Sequence, residues 1–194
     1  NLYTQFYAQY FTNTQNGWNS DRYGYNDGWA MAGFWNPYFT ALKHLKVLKN
    51  EVATHPSYSN IYQMMRIIVA ERTAAMTDIY GDIPYSAAAL GNDGPAYDAQ
   101  KDIYYDIFKE LTEASDVLKQ NLTGQETCTD QQDLIYAGNI QKWRKFANSL
   151  RLRYALRLTN IDPAKAKAEG EAALAAGVMS DEDESAMEKI FATA

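Results

Sequence analysis

The sequence predicts an all-α protein, an array of antiparallel helix pairs with long structured loops. Three observations carry that expectation. Apolar residues recur at helical spacing through most of the chain after residue 36, and no alternating run is long enough to demand a sheet. One junction, NIDPAKAKAEGEAALAAGVM, also holds a full set of helix start and stop signals.

Residues 1–36 stand apart from the rest. They contain no lysine, are rich in Tyr, Trp, Phe and Asn, and carry glycines at 17, 24, 28 and 33. A short amphipathic helix is expected over 2–11, followed by a structured aromatic loop. At Pro37, with Asn36 as N-cap, the chain turns helical, and Phe39, Leu42, Leu45 and Leu48 keep the spacing to about residue 53. A second helix opens after His55-Pro56-Ser57 and places Ile61, Met65, Ile68, Ala75 and Ile79 on one face. It runs to Tyr80, where Gly81 ends it and Pro84 prevents its resumption.

Over 99–121 the residues Ile103, Ile107, Leu111, Ala114 and Leu118 form one stripe, and over 139–159 Ile140, Trp143, Ala147, Leu150, Tyr154 and Leu158 form another. In the junction, Asp162 is the N-cap, Pro163 the first helical residue and Gly177 the stop. So short a turn makes its two helices antiparallel. Ala166, Ala168, Ala172, Ala173 and Ala176 permit close packing between them. Helix pairs of this length suggest a tetratricopeptide-like scaffold over 37–180, although the repeat consensus of about 34 residues is not visible. Residues 181–194 read as an acidic tail or the start of a further region.

Composition narrows the function. At 194 residues the chain has room for a substantial core, and no apolar run approaches the roughly 20 residues of a membrane helix. A formal net charge of −6 argues against nucleic acid as a partner. The lone Cys128 cannot form an intramolecular disulfide. The sequence begins at Asn1 without a signal-peptide pattern, so a processed or excised chain is expected.

Little points to catalysis, a cofactor or a metal. His44 and His55 have no Cys or carboxylate at ligand spacing. Asp78 and Asp82 bracket a helix end, where Asp82 organises the turn. The run DEDESAMEKIFA starts like a calcium loop, but Ala186 stands where the turn glycine belongs and Ala192 where the bidentate glutamate belongs. Between residues 142 and 157 there are six bases, Lys142, Arg144, Lys145, Arg151, Arg153 and Arg157, and no acid. These flank an apolar stripe, so their expected partners are carboxylates on neighbouring helices, with an anionic polymer or lipid as the alternative.

The stretch NTQNGWNSDRYGYNDGWAMAGFW has two readings, aromatic core that ties a packed loop to the first helix or a carbohydrate site. A sugar ring offers C–H bonds on its faces and hydroxyls at its rim, which calls for flat apolar side chains beside short polar ones. Trp18, Tyr23, Tyr25 and Trp29, interspersed with Asn19, Asp21, Arg22, Asn26 and Asp27, supply both kinds. Trp35, beside the first long helix, is expected in the core instead.

Three blocks carry a family resemblance: RIIVAERTAAMTDIYGDIPYSAA, PAYDAQKDIYYDIFKELTEA and DLIYAGNIQKWRKFANSLRLRYALRL. In this order they resemble the SusD/RagB family of outer-membrane nutrient-binding lipoproteins of Bacteroidetes, over roughly residues 5–180. The resemblance implies an N-terminal portion of a longer protein that captures a glycan or other polymeric nutrient without cleaving it. It implies delivery to a SusC-like TonB-dependent transporter, and membrane attachment only through a lipid anchor whose cysteine is not in this sequence. The alternative reading is a helical-repeat scaffold that binds only proteins.

Overall fold

The structure, a computed structural model, describes residues 8–10, 12, 14, 27–91 and 93–180, with backbone alone for 27–32. Its elements are α1 (Asp27–Thr54), a short 3-10 helix (Pro56–Tyr58), α2 (Ser59–Tyr80), β1 (Ile83–Pro84), β2 (Tyr97–Asp98), α3 (Gln100–Lys119), α4 (Ile140–Arg157) and α5 (Pro163–Ala176). Each long helix packs against the next one in the chain, which gives the expected all-α, tetratricopeptide-like array. The only strands among the described residues form an antiparallel ribbon that pairs Ile83 with Asp98 and Pro84 with Tyr97.

The first helix begins at Asp27, ten residues before the expected start at Pro37, and carries that proline in its interior. Gly28, Gly33 and Pro37 all speak locally for a loop. Packing overrides them: Tyr38 and Leu42 are buried, and Trp35 packs tilted against Phe39 at 5.0 Å and edge-on to Tyr80 at 5.3 Å. Trp35 thus belongs to the packed interior, as expected. Of the helix expected over 2–11, Ala8–Tyr10 form a turn and bend instead. The remaining residues of that span, apart from those three, lie outside the described set.

In α2 the expected stripe of Ile61, Met65, Ile68, Ala75 and Ile79 is not the buried face. Ile67, Ala70, Ala74 and Met76 are buried, together with the polar Asn60, Gln63, Arg66, Thr73 and Thr77. The helix is packed between α1 and α3, so its deepest face is the one aimed at both, and its buried polar residues are partnered apart from the Asn60 side-chain amide. Thr73 donates to the Val69 carbonyl at 2.7 Å, and the Thr73 and Tyr38 hydroxyls lie 3.2 Å apart. The α3 stripe is buried as expected at Ile103, Ile107, Leu111, Ala114 and Leu118. On α5 the close face is Ala166, Glu169, Gly170 and Ala173, while Ala168 and Ala172 face solvent. Asp162 caps that helix through the Lys165 amide at 3.1 Å, and Asn139 caps α4 through the Lys142 amide at 3.1 Å.

The loop before α4 is tied by one carboxylate. Asp133 accepts the amides of Ile135 (3.0 Å), Tyr136 (3.1 Å) and Gly138 (2.8 Å), and the Trp143 indole N–H at 2.6 Å. Tyr136 stands edge-on to Trp143 at 5.4 Å. Among the described residues no helix is long and apolar enough to cross a membrane.

Candidate functional site

The residues singled out as sugar contacts fall largely beyond what the structure describes. Trp18, Asn19, Asp21, Arg22, Tyr23, Tyr25 and Asn26 lie outside the described residues, and Asp27 and Trp29 are placed by backbone alone, in the first turn of α1. The acidic run 181–192 also lies outside. What can be built from side chains is the scaffold beside them, where three concave surfaces stand out.

One is a cleft of about 370 Å³ between α1, α2, α3 and the ribbon, with Leu42, Leu45, Val69 and Ile103 among its apolar lining. Much of its polar lining is paired. Arg66 holds Glu110 at 2.6 Å, Glu113 at 2.5 Å and the Gln63 side-chain oxygen at 3.0 Å. Burial works against the charge on Arg66, but these carboxylates outweigh it and raise its pKa. Tyr85 donates to Asp106 at 2.8 Å, and burial followed by that carboxylate raises its pKa. Asp98 accepts the amides of Tyr85 and Ser86 and the Ser86 hydroxyl at 3.0, 2.9 and 2.7 Å. Burial raises its pKa, yet those bonds bring the net shift down. Lys46 closes the loop side by donating to the carbonyls of Ser86 and Ala88. The cleft thus joins paired charges to two tyrosine rings, Tyr62 and Tyr85.

A second cleft, of about 350 Å³, lies where the three sequence blocks meet. Asp78 comes from the end of α2, Gln100 and Tyr104 from the start of α3, and Arg157 from the end of α4. The Tyr104 hydroxyl donates to Asp78 at 2.5 Å and accepts from Arg157 at 3.1 Å, while Arg157 also pairs with Asp78. Asp82, expected to organise its turn, accepts the Gln100 amide at 2.9 Å. Tyr105 donates to Asp162, and the Lys101 and Lys165 ammonium groups sit 5.5 and 5.0 Å from its ring centre. Sequence spacing placed these residues on separate helices; their meeting needed the tertiary fold.

The basic helix is resolved here as well. Arg157 and Arg151 pair with carboxylates of neighbouring helices, Arg151 holding Glu169 at 2.5 Å. Arg144 instead donates to the Ala176 carbonyl at the end of α5, at 2.6 Å.

The third surface is an open groove of about 780 Å³ between α2 and α4. Ile61, Met65 and Ile68, three of the five residues in the stripe expected from sequence, form one wall, and Phe146, Leu150 and Arg153 form the other.

A family profile described as SusD-like, "Susd and RagB outer membrane lipoprotein", matches residues 1–193. Among solved structures, a SusD homologue from Parabacteroides distasonis ATCC 8503 is 30% identical, with a TM-score of 0.80 over 95% of this chain and 36% of that one. A SusD homologue from Bacteroides uniformis ATCC 8492 is 36% identical, with a TM-score of 0.71 over 79% of this chain and 32% of the other. A chitin-binding SusD homologue from Flavobacterium johnsoniae is 32% identical, with a TM-score of 0.65 over 75% of this chain and 31% of the other. No curated protein matches the sequence. The chain spans about a third of the length of these solved relatives. With a profile match across almost its whole length, this chain belongs to the SusD-like family.

Proposed function

We propose that this chain serves to capture a glycan or other polymeric nutrient, without cleaving it, at the bacterial outer-membrane surface. A SusC-like TonB-dependent transporter receives the ligand. The observation that carries this reading is the likeness, at 32% identity over 75% of the chain, to a chitin-binding SusD homologue. Contact with the ligand is assigned to Trp18, Tyr23, Tyr25 and Trp29 with Asn19, Asp21, Arg22, Asn26 and Asp27. The geometry of α1 supports the assignment, because the Asp27–Trp29 end of the segment continues into a helix anchored on α2 by Trp35 and Tyr38. A residue carried on a helix, as Trp29 is, loses little backbone entropy on meeting a sugar.

Affinity electrophoresis through gels containing plant, host and microbial polysaccharides tests the site. Retardation by one glycan is expected, with its loss in a Trp18→Ala/Trp29→Ala variant of unchanged helical circular dichroism. Retardation that survives the double substitution would remove this segment from the site. The apolar groove favours a second reading, a scaffold that binds only proteins. That reading requires that no glycan retards the chain.

A further inference from the structure

The cleft between α1, α2, α3 and the ribbon has an apolar floor, with Leu42, Val69 and Ile103 buried, and it sets two tyrosine rings beside a row of carboxylates. Both rings are held in place. The Arg66 guanidinium lies 5.7 Å from the Tyr62 ring centre, and the Tyr85 hydroxyl is tied to Asp106 at 2.8 Å. Asp102, Asp106 and Glu110 follow one another at four-residue spacing on one face of α3, and Asp98 precedes them in β2. These acids keep acceptor capacity that the fold does not use. Glu110 accepts from Arg66 on one oxygen, Asp106 accepts from Tyr85 on one oxygen and has the other 3.8 Å from the Lys109 ammonium, and the Asp102 side chain has no hydrogen-bond or ion-pair partner among the described residues. An ionised carboxylate offers about four acceptor sites, so each retains room for further donors.

A matching ligand brings hydroxyl donors at its edge and a C–H face for the rings. We propose that this cleft is a second saccharide site, where an uncharged sugar donates hydroxyls to Asp102, Asp106 and Glu110 and lays its C–H face against Tyr62 and Tyr85. The choice of ligand class rests on the nutrient-capture reading; the choice of place rests on the cleft. Its volume of about 370 Å³ lies at the small end of the roughly 300–1,000 Å³ of small-molecule sites, which suits a mono- or disaccharide unit. The lining sets the carboxylates Asp98, Asp102, Asp106 and Glu110 against the bases Lys46, Lys49 and Arg66, so a uronic acid adds like charge and is disfavoured. The site is separate from residues 18–29, because Leu42 lies ~20 Å beyond Trp29 along α1 at the helical rise per residue.

The test is an NMR titration of the whole chain, labelled at its methyl groups, with cellobiose, maltose, N,N′-diacetylchitobiose and digalacturonic acid. At least one neutral disaccharide is expected to shift the Leu42, Val69 and Ile103 methyl signals saturably. Its Kd should rise about fivefold in Asp102→Asn and in Tyr62→Ala, at unchanged helical circular dichroism, and digalacturonic acid should bind about fivefold more weakly than that sugar. Asp102→Asn leaves the Arg66 pairs untouched, so it decides the matter even where Tyr62→Ala fails to fold. Cleft methyl signals that no neutral disaccharide moves, a Kd unchanged in Asp102→Asn, or equal affinity for digalacturonic acid would overturn the proposal. Shifts confined to the tryptophan indole signals would overturn it too, while leaving the nutrient reading in place. Retardation in polysaccharide gels decides that reading independently of the cleft signals.

Discussion

Asp133 gathers three backbone amides and the Trp143 indole N–H on one carboxylate. Burial by itself would raise its pKa, but the Trp143 indole and three backbone amides outweigh burial and hold the carboxyl below its ordinary value. Glu169 is held low in the same sense, with burial opposed by Lys165 and Arg151. A depressed native pKa means that the unfolded chain binds the proton first. The stabilisation is therefore fully present above the unfolded values of about 3.9 for Asp and 4.3 for Glu and drains away as pH falls through the lower native values. Urea unfolding followed at pH 7 and at descending pH below 4.5 should show that loss, and Asp133→Asn should flatten it. At pH 7, Asp133→Ala strands three amides and an indole N–H and should cost about 2–4 kcal/mol.

Gly138, in the same loop, is fixed by backbone rather than charge. Its φ is +77°, and a Cβ there would stand 2.3 Å from the Cys128 carbonyl oxygen. Gly138→Ala should destabilise by about 2–4 kcal/mol, read by the same denaturation. Arg66 offers a contrast, since its side chain is 8% exposed while Glu110 and Glu113 reach solvent at 24% and 49%. Because the acids can rehydrate, Arg66→Met should cost about 1–2 kcal/mol, less than the 3–5 kcal/mol of breaking a fully buried pair.

Among the elements, the periodic helices were legible in the sequence and the exceptions were not. The stripe Ile103, Ile107, Leu111, Ala114, Leu118 and the capped start at Asp162-Pro163 could be read directly, because one face of the helix and one local hydrogen bond determine each. The α2 face could not. That helix is enclosed on two sides, so polar residues at Asn60, Gln63 and Thr77 count as interior only once α1 and α3 are in place. The α1 start was hidden by glycines and by Pro37, whose missing N–H leaves the Gly33 carbonyl without its usual helical partner. Pro37→Ala should restore that bond and, after allowing for a more flexible unfolded chain, raise stability by about 1–2 kcal/mol in thermal or urea unfolding.

At the scale of the whole molecule, the three sequence blocks turn out to be one cross-brace. Asp78, Tyr104 and Arg157 each come from a different block and meet in one hydrogen-bonded cluster. The motifs could therefore mark the family while saying little about the ligand. Their side chains satisfy one another, and the residues proposed to contact sugar, within 18–29, belong to none of the three blocks. The central claim is best tested by incubating this chain with a panel of polysaccharides, following both its retardation in glycan-containing gels and the release of reducing ends. The account predicts retardation by at least one glycan with no new reducing ends. Release of reducing ends from the retained glycan, or free migration through every gel, would contradict it.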